Sequence, residues 1–308
     1  MIVGVPKEIK SSEFRVGVTP ATGARIVNEK HTLIVEKNAG NGIGASDEDY
    51  KKIGAQIVEN AADVFEKSEM IVKVKEPQEP EWKMLKEGQI LFTYLHLAAD
   101  PNQAKGLMKS KCHAIAYETI TDNKGTLPLL APMSEIAGRL AVFEGAYHSK
   151  KTSGGPGDLI SGVPGVKPSK VVILGGGMVG TNAAHMAAGV GADVTIFDKS
   201  IDRLRYLNDI FGNSAKVLYS EKVTLEEQLS DADLVIGAVL IPGASAPKLI
   251  DKEFLSKMKK DAVLVDVAID QGGCFETSRP TTHNDPTYVV DDIIHYCVAN
   301  MPGSVPKT

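Results

Sequence analysis

The sequence predicts an α/β protein of two domains, one a doubly wound parallel sheet of Rossmann type and the other a second, separate α/β unit. Length is the first ground, because 308 residues exceed what one hydrophobic core organises at roughly 100–200 residues per domain. The second is the alternation of short Val- and Ile-rich runs with segments of helical spacing, the pattern of strands covered by helices on both faces. The third is a glycine triplet placed directly after one of those runs.

In order along the chain, apolar runs at residues 2–5, 32–35, 70–74, 90–95 and 114–117 read as strands. The spacing then predicts a helix over 132–150, with Met133, Ile136, Ala137, Leu140, Ala141 and Phe143 on one face and Ser134 near its start. Residues 152–169 are crowded with Gly and Pro, which sustain neither a helix nor a central strand. They read as an ordered loop anchored by Leu159, Ile160, Val163 and Val166. Continuous apolar strands follow at 171–174, 194–197, 234–239 and 263–267, with helical segments between them.

Composition narrows the functional classes. With 34 basic and 39 acidic residues the net charge is −5, the wrong sign for a broad phosphate-backbone surface, so nucleic acid is not expected as a partner. Cys112, Cys274 and Cys297 are too few and too far apart for a disulfide framework or a CxxC metal site, and read as small buried hydrophobes in a reducing compartment. The N-terminus reaches Lys7 and Glu8 before a signal-peptide core develops. The longest uncharged apolar stretch, residues 89–99, falls short of the roughly 18 residues of a membrane span. A cytoplasmic protein without membrane or metal is therefore expected.

The glycine triplet lies in VVILGGGMVG, where Gly175, Gly177 and Gly180 form G-x-G-x-x-G between a strand and a helix. Gly175 permits the tight turn, Gly177 lets the backbone approach a pyrophosphate, and Gly180 allows close packing of helix on strand. The next strand, DVTIFD, ends at Asp198, 18 residues beyond Gly180, where a carboxylate accepts hydrogen bonds from a ribose diol. Asp198 would repel a 2′-phosphate, which favours NAD over NADP. Lys199, Arg203 and Arg205 soften that preference, and also read as the solvated face of the following helix. Ligands in open α/β sheets sit beyond the carboxyl ends of the strands, so the turns at Val239–Leu240, at Val267, Ala268, Ile269 and Asp270, and at Val298, Asn300 and Met301 are further candidates. Asp270 ends the run AVLVDVAID just before Gly272 and Gly273. It either faces the crevice or bonds to its own turn.

Three residues of the first half stand out among apolar neighbours: Arg15 in KSSEFRVGVTP, Lys75 at the end of MIVKVK, and His96 at the end of ILFTYLH. Taken singly, each also reads as an ordinary structural or solvent-reaching side chain.

Together these segments resemble the L-alanine dehydrogenases. VPKEIKSSEFRVGVTP, VKVKEP, LFTYLHLAA, AYET, PMSEIAGR, GVPGV, LGGGMVGTNAA, LVIGAVLIPG, VDVAIDQGGCFETSRPTTH and VANMPGSVPKT follow that family's order through essentially the whole chain. The resemblance implies reversible, NAD-dependent oxidative deamination of L-alanine to pyruvate and ammonium. It makes Arg15 the carboxylate-binding arginine, and Lys75 the contact to the substrate carboxylate and keto oxygen. His96 becomes the catalytic acid–base, and Asp270 the second catalytic acid. Ser134, Asp198, Arg203, Ser220, Val239, Leu240, Arg279 and Asn300 fall where the family contacts NAD. The cations and the cofactor supply the electrophilic stabilisation, so no metal is called for.

The resemblance also implies a substrate domain over 1–128, an NAD domain over 129–300, and at 301–308 the start of a return to the first domain. Family members continue from there into further helices, and assemble as homo-oligomers, by resemblance hexamers. The chain stops at Thr308, so a shortened, inactive paralogue stays open as an alternative. A second alternative is the NAD-binding subunit of a transhydrogenase, against which AIDQGG and TYLH argue. Turnover of pyruvate, ammonium and NADH separates both from an alanine dehydrogenase.

Overall fold

The computed structural model describes residues 1–239 and 246–308, the side chain of Ala99 excepted. The chain divides into two compact units, Met1–Leu130 with Gly303–Thr308, and Ala131–Pro302.

The first unit runs β1 (Ile2–Val5), α1 (Pro20–Asn28), β2 (Thr32–Glu36), α2 (Asp47–Lys52), β3 (Gln56–Val58), α3 (Ala61–Lys67), β4 (Met70–Val72), α4 (Glu79–Trp82), β5 (Ile90–Thr93), α5 (Pro101–Ser110) and β6 (His113–Ala116). Its strands pair in the order β3-β2-β1-β4-β5-β6, and every pairing is parallel. The helices start where side chains supply the missing acceptors. Thr19 caps α1, Ser46 caps α2 in a reciprocal box with Asp49, and Asp100 caps α5 ahead of Pro101. One apolar cluster gathers Val3, Val5, Leu33, Val35 and Tyr50, and another gathers Val64, Phe65, Ile71, Leu91 and Leu107. Strand order reverses between β1 and β4, and a crevice forms at the carboxyl ends of strands that flank such a switch. Arg15 follows β1, Lys75 follows β4 and His96 follows β5.

The second unit begins with α6 (Ala131–His148), then β7 (Lys170–Leu174), α7 (Met178–Gly189), β8 (Asp193–Asp198), α8 (Ile201–Phe211), β9 (Lys216–Tyr219), α9 (Lys222–Ser230), β10 (Leu234–Gly237), β11 (Val263–Asp266), β12 (Thr287–Val290) and β13 (Ile293–Tyr296). The sheet order is β12-β13-β11-β10-β7-β8-β9. Pairing is parallel except at one edge, where β12 runs antiparallel to β13, so the sheet is mixed rather than wholly parallel. Residues of β7, β8, β10 and β11 point alternately into two apolar clusters, one holding Val171, Ile173, Ile196 and Ile236, the other Val172, Leu174, Phe197 and Val235. That two-sided burial is why these strands read as unbroken apolar runs. Helix α6 packs on α7 through small residues: a Cβ on Gly138 would lie 2.2 Å from the Val179 carbonyl oxygen.

Two expectations are corrected. The helix expected over 132–150 spans Ala131–His148. Asp270 does not end a strand: β11 stops at Asp266, and Asp270 lies in the 3₁₀ turn Ile269–Gln271. The cause is local. The buried Asp266 carboxylate accepts from the backbone N–H of Ala268 at 3.1 Å and of Cys274 at 2.7 Å. Gly272 and Gly273 then turn the chain with φ of 88° and 78°.

Candidate active site

In the first unit the candidate residues gather around Glu76, a residue the sequence reading passed over. One Glu76 oxygen, Oε2, lies 3.6 Å from His96 Nδ1 and 3.7 Å from Lys75 Nζ. Its other oxygen accepts a hydrogen bond from Lys10. Burial by itself would raise the Glu76 carboxyl. His96, Lys75 and Lys10 outweigh that and hold it well below the ordinary carboxylate range.

His96 sits in the left-handed region, φ 46° and ψ 41°, an uncommon conformation for a residue with a side chain. Glu118 supports it by accepting from the backbone N–H of His96 at 2.7 Å and of Leu95 at 3.1 Å. The imidazole stacks on Tyr94, with ring centres 5.9 Å apart and 12° between planes. Burial pushes the Tyr94 phenol up to about 12, a shift that the nearby Arg15 opposes. Arg15 is itself oriented by Glu13, donating from Nε at 2.8 Å and from Nη2 at 2.6 Å. Beside His96 and Glu76 opens a cleft of about 440 Å³ that Trp82, Asp100 and Gln103 also line. Lys75, Glu76, His96, Tyr94 and Arg15 thus form one neighbourhood: cations able to hold a carboxylate, next to an imidazole with a fixed carboxylate behind it.

Glu76 also makes a stability prediction. Its folded-state pKa is depressed from an ordinary 4.5, so its contribution is complete above that value and is lost as pH falls through the folded-state value. Glu76→Gln lacks this dependence. The urea midpoint of the variant is expected to change less between about pH 5 and pH 3 than that of the parent chain. Equal losses in both would contradict the assignment.

In the second unit the glycine loop joins β7 to α7. Gly175 has φ 99°, and a Cβ on Gly180 would lie 1.8 Å from the Gly175 carbonyl oxygen. Gly177 is the N-cap of α7 and no side chain caps that end. A Cβ at Gly177 would meet nothing within 4 Å. A twelve-residue helix whose uncapped start faces open space at a glycine is suited to a pyrophosphate.

Asp198 Oδ2 accepts from Gly176 N–H at 2.8 Å, and Oδ1 from Ser200 N–H at 2.8 Å. Arg203 does more than face solvent. It folds back to donate to the Gly176 carbonyl and, at 2.6 Å, to Thr181 Oγ1, and it covers the Tyr206 ring at 4.5 Å. Arg205, by contrast, stays on the surface with Asp202. Ser220 follows β9 and donates its N–H to the Asp198 carbonyl at 2.9 Å. Val239 follows β10, while Leu240 lies outside the described residues.

Val267 donates to the Gly237 carbonyl at 2.9 Å, which places Ala268, Ile269 and Asp270 in the turn beyond β11. Val298 and Met301 put their side chains into the core, so the backbone is what they offer a ligand. Asn300 between them has φ 63°. Arg279 lies with its guanidinium 4.1 Å from the centre of the Tyr288 ring, and its N–H donates to the Tyr288 hydroxyl at 2.9 Å. Ser134 is in the first turns of α6.

Comparison with known proteins settles the family. The model for the N-terminal domain of alanine dehydrogenase/PNT proteins matches residues 4–137, and that for the C-terminal domain matches residues 141–308. The chain belongs to the alanine dehydrogenase/PNT family. It is 55% identical to an alanine dehydrogenase of Halomonas elongata over 308 residues, all of this chain and 83% of that protein. An alanine dehydrogenase of Bacillus subtilis is 52% identical over 309 residues, with 81% of that protein covered. Among solved structures, an L-alanine dehydrogenase superposes with a TM-score of 0.95 at 51% identity, over the whole of this chain and 85% of the other. A transhydrogenase from Sinorhizobium meliloti shares the fold, with a TM-score of 0.86 at 24% identity, over the whole of this chain and 89% of the other.

For this member of the alanine dehydrogenase/PNT family, sequence reasoning missed Glu13, Glu76, Glu118 and Asp266. Glu76 had a local signal, since an acid directly after Lys75 at a strand end is positioned to meet whatever the next strand end carries. Glu118 acts through backbone N–H groups 22 and 23 residues away that the fold brings near, and Asp266 through those of its own turn, at Ala268 and Cys274. Among the described residues no helix is long and apolar enough to cross a membrane.

Proposed function

We propose that this chain catalyses the reversible reaction of L-alanine, NAD and water to pyruvate, ammonium and NADH, with Arg15, Lys75, His96 and Asp270 as its working residues. The observation that carries this reading is the grouping of Lys75 and His96 on the two sides of one Glu76 oxygen. It sets a carbonyl-polarising cation beside an acid–base group.

In the deaminating direction Arg15 and Lys75 hold the substrate carboxylate. When bound, NAD supplies the acceptor for the hydride that leaves the substrate Cα. His96 then takes a proton from water as its oxygen bonds to the imine carbon and returns it to nitrogen; as the carbinolamine collapses, the C–N bond breaks, ammonia departs and His96 takes the hydroxyl proton, leaving the ketone. Asp270 orients the amine and the water. Lys75 stabilises charge on the carbonyl oxygen. In the reverse direction the same groups protonate and release water.

The residues that would hold NAD are Ser134, Gly175, Gly177, Gly180, Asp198, Arg203, Ser220, Val239, Leu240, Val267, Ala268, Ile269, Asp270, Arg279, Val298, Asn300 and Met301. Assembly as a homo-oligomer, by resemblance a hexamer, and a cytoplasmic location belong to the same reading. The test is the fall in NADH absorbance with the purified chain, pyruvate and ammonium. Turnover that requires both substrates supports the reading, and NADH binding without turnover overturns it.

A further inference from the structure

A second charged cluster of the first unit lies wholly inside the protein. Lys73, immediately after β4, donates from Nζ to Glu8 at 3.1 Å and to Glu81 at 2.6 Å. The three side chains are 0%, 2% and 2% exposed. None of them is near enough to solvent to serve solubility, and burying three ionisable groups is costly unless every oxygen and proton is used. The way they are used is informative. The second oxygen of Glu8 accepts the backbone N–H of Val74 at 2.7 Å, and the second oxygen of Glu81 accepts the backbone N–H of Gln78 at 2.7 Å. Gln78 in turn donates its side-chain amide to the Glu76 carbonyl at 3.0 Å.

One ammonium therefore anchors two carboxylates, and those carboxylates grip the chain on either side of Lys75 and Glu76. The gripped segment ends in Pro77–Gln78 and lies beyond the end of β4; β5 reaches its start, through the Tyr94 N–H on the Val74 carbonyl at 3.2 Å and the Thr93 hydroxyl on the Lys75 carbonyl at 2.9 Å. We propose that Glu8, Lys73 and Glu81 are positioning residues, a buried ionic clamp that holds Lys75 and Glu76 in register with His96. This rests on the functional reading above only in assigning Lys75 to the substrate. The clamp itself is a property of the fold.

The chemistry of the three groups sets the order of variants. With all three ionised the cluster carries a net negative charge, and burial pushes the Glu8 carboxyl upward while Lys73 opposes it. Glu8→Gln keeps an oxygen for the Val74 N–H and leaves Lys73 paired with Glu81, so it resembles the protonated acid. Glu8→Ala leaves the Val74 N–H without that acceptor, and Lys73 with Glu81 as its one remaining carboxylate of the clamp. A role confined to folding would lower the active fraction and leave the Michaelis constant unchanged. A positioning role raises the Michaelis constant for pyruvate without touching the dinucleotide.

The experiment compares Glu8→Gln, Glu8→Ala and Glu81→Ala with the parent chain. Expected are a pyruvate KM at least tenfold higher in both Ala variants, a value within threefold in Glu8→Gln, and an NADH Kd within twofold in all. Amide hydrogen exchange over residues 74–78 is expected to quicken at least tenfold in the Ala variants, with the strands of the first unit unchanged. Should Ala at position 8 prevent folding, Glu8→Asp, one methylene short of Val74, gives the same test. Ala variants with KM within twofold, or exchange in 74–78 no faster than in the flanking strands, overturn the clamp. If the parent chain fails to turn pyruvate over, the functional reading fails and the exchange result alone decides the clamp.

Discussion

His96→Ala is expected to lower kcat for pyruvate amination by about 10²–10⁴-fold, the range that one positioned acid–base group contributes, while NADH affinity stays unchanged. The geometry explains why no neighbour substitutes. The His96 backbone is held in the left-handed region by Glu118, and its ring is set against Tyr94. A carboxylate oxygen stands 3.6 Å from Nδ1, which favours a proton on that nitrogen and leaves Nε2 as the base. Lys75 cannot take over, because it is needed as a cation, and Glu76 is held ionised well below neutrality. Stopped-flow measurement of NADH oxidation, together with fluorescence titration of NADH, reads both quantities. Turnover within threefold of the parent chain would remove His96 from the mechanism.

Two glycine substitutions in the β7–α7 loop are expected to separate folding from dinucleotide binding. At Gly180 a methyl group would lie 1.8 Å from a backbone oxygen, and backbone cannot step aside as a flexible side chain does. Gly180→Ala should therefore cost about 1–3 kcal/mol in urea unfolding and weaken NADH binding about 100-fold, because the loop it displaces is the proposed pyrophosphate cradle. At Gly177 the same methyl group meets nothing within 4 Å, and the backbone, φ −66° and ψ −161°, suits any residue. Gly177→Ala should leave stability within about 0.5 kcal/mol yet weaken NADH about tenfold or more by filling the space proposed for phosphate. A Gly177→Ala chain that binds NADH within twofold of the parent overturns the cradle assignment.

What was legible in the sequence was whatever depends on neighbours in the chain. The strands buried on both faces, Lys170–Leu174 and Leu234–Gly237 among them, declare themselves by composition. The glycine triplet declares itself by spacing. Lys75 and His96 were visible as charges at strand ends and Arg15 as a charge in the segment after the first strand, and strand order sets the ends of β1, β4 and β5 side by side. Less visible was anything made by residues far apart: Glu8 meets Lys73 across 65 residues, and no local pattern marks either as a pair. Strand Ile293–Tyr296 is fully buried but is not among the expected strands, because it is four residues long, contains His295 and follows Asp291 and Asp292. Asp266 was hidden inside AVLVDVAID, where a buried acid that gathers backbone N–H groups looks like one more strand residue.

In the second sheet, strand order also shapes how the chain emerges from the ribosome. Strand β7 is an interior strand of that sheet, between β10 and β8, and the first of it to be made. Its partner β10, which pairs Val171 with Leu234, follows roughly 60 residues later, several seconds at about 5–20 residues per second. Throughout that interval an apolar strand with an unpaired edge is exposed to other nascent chains. Slower elongation after β8 should therefore favour aggregation, and a chaperone that shields this stretch should raise the soluble yield more than a change made after β13.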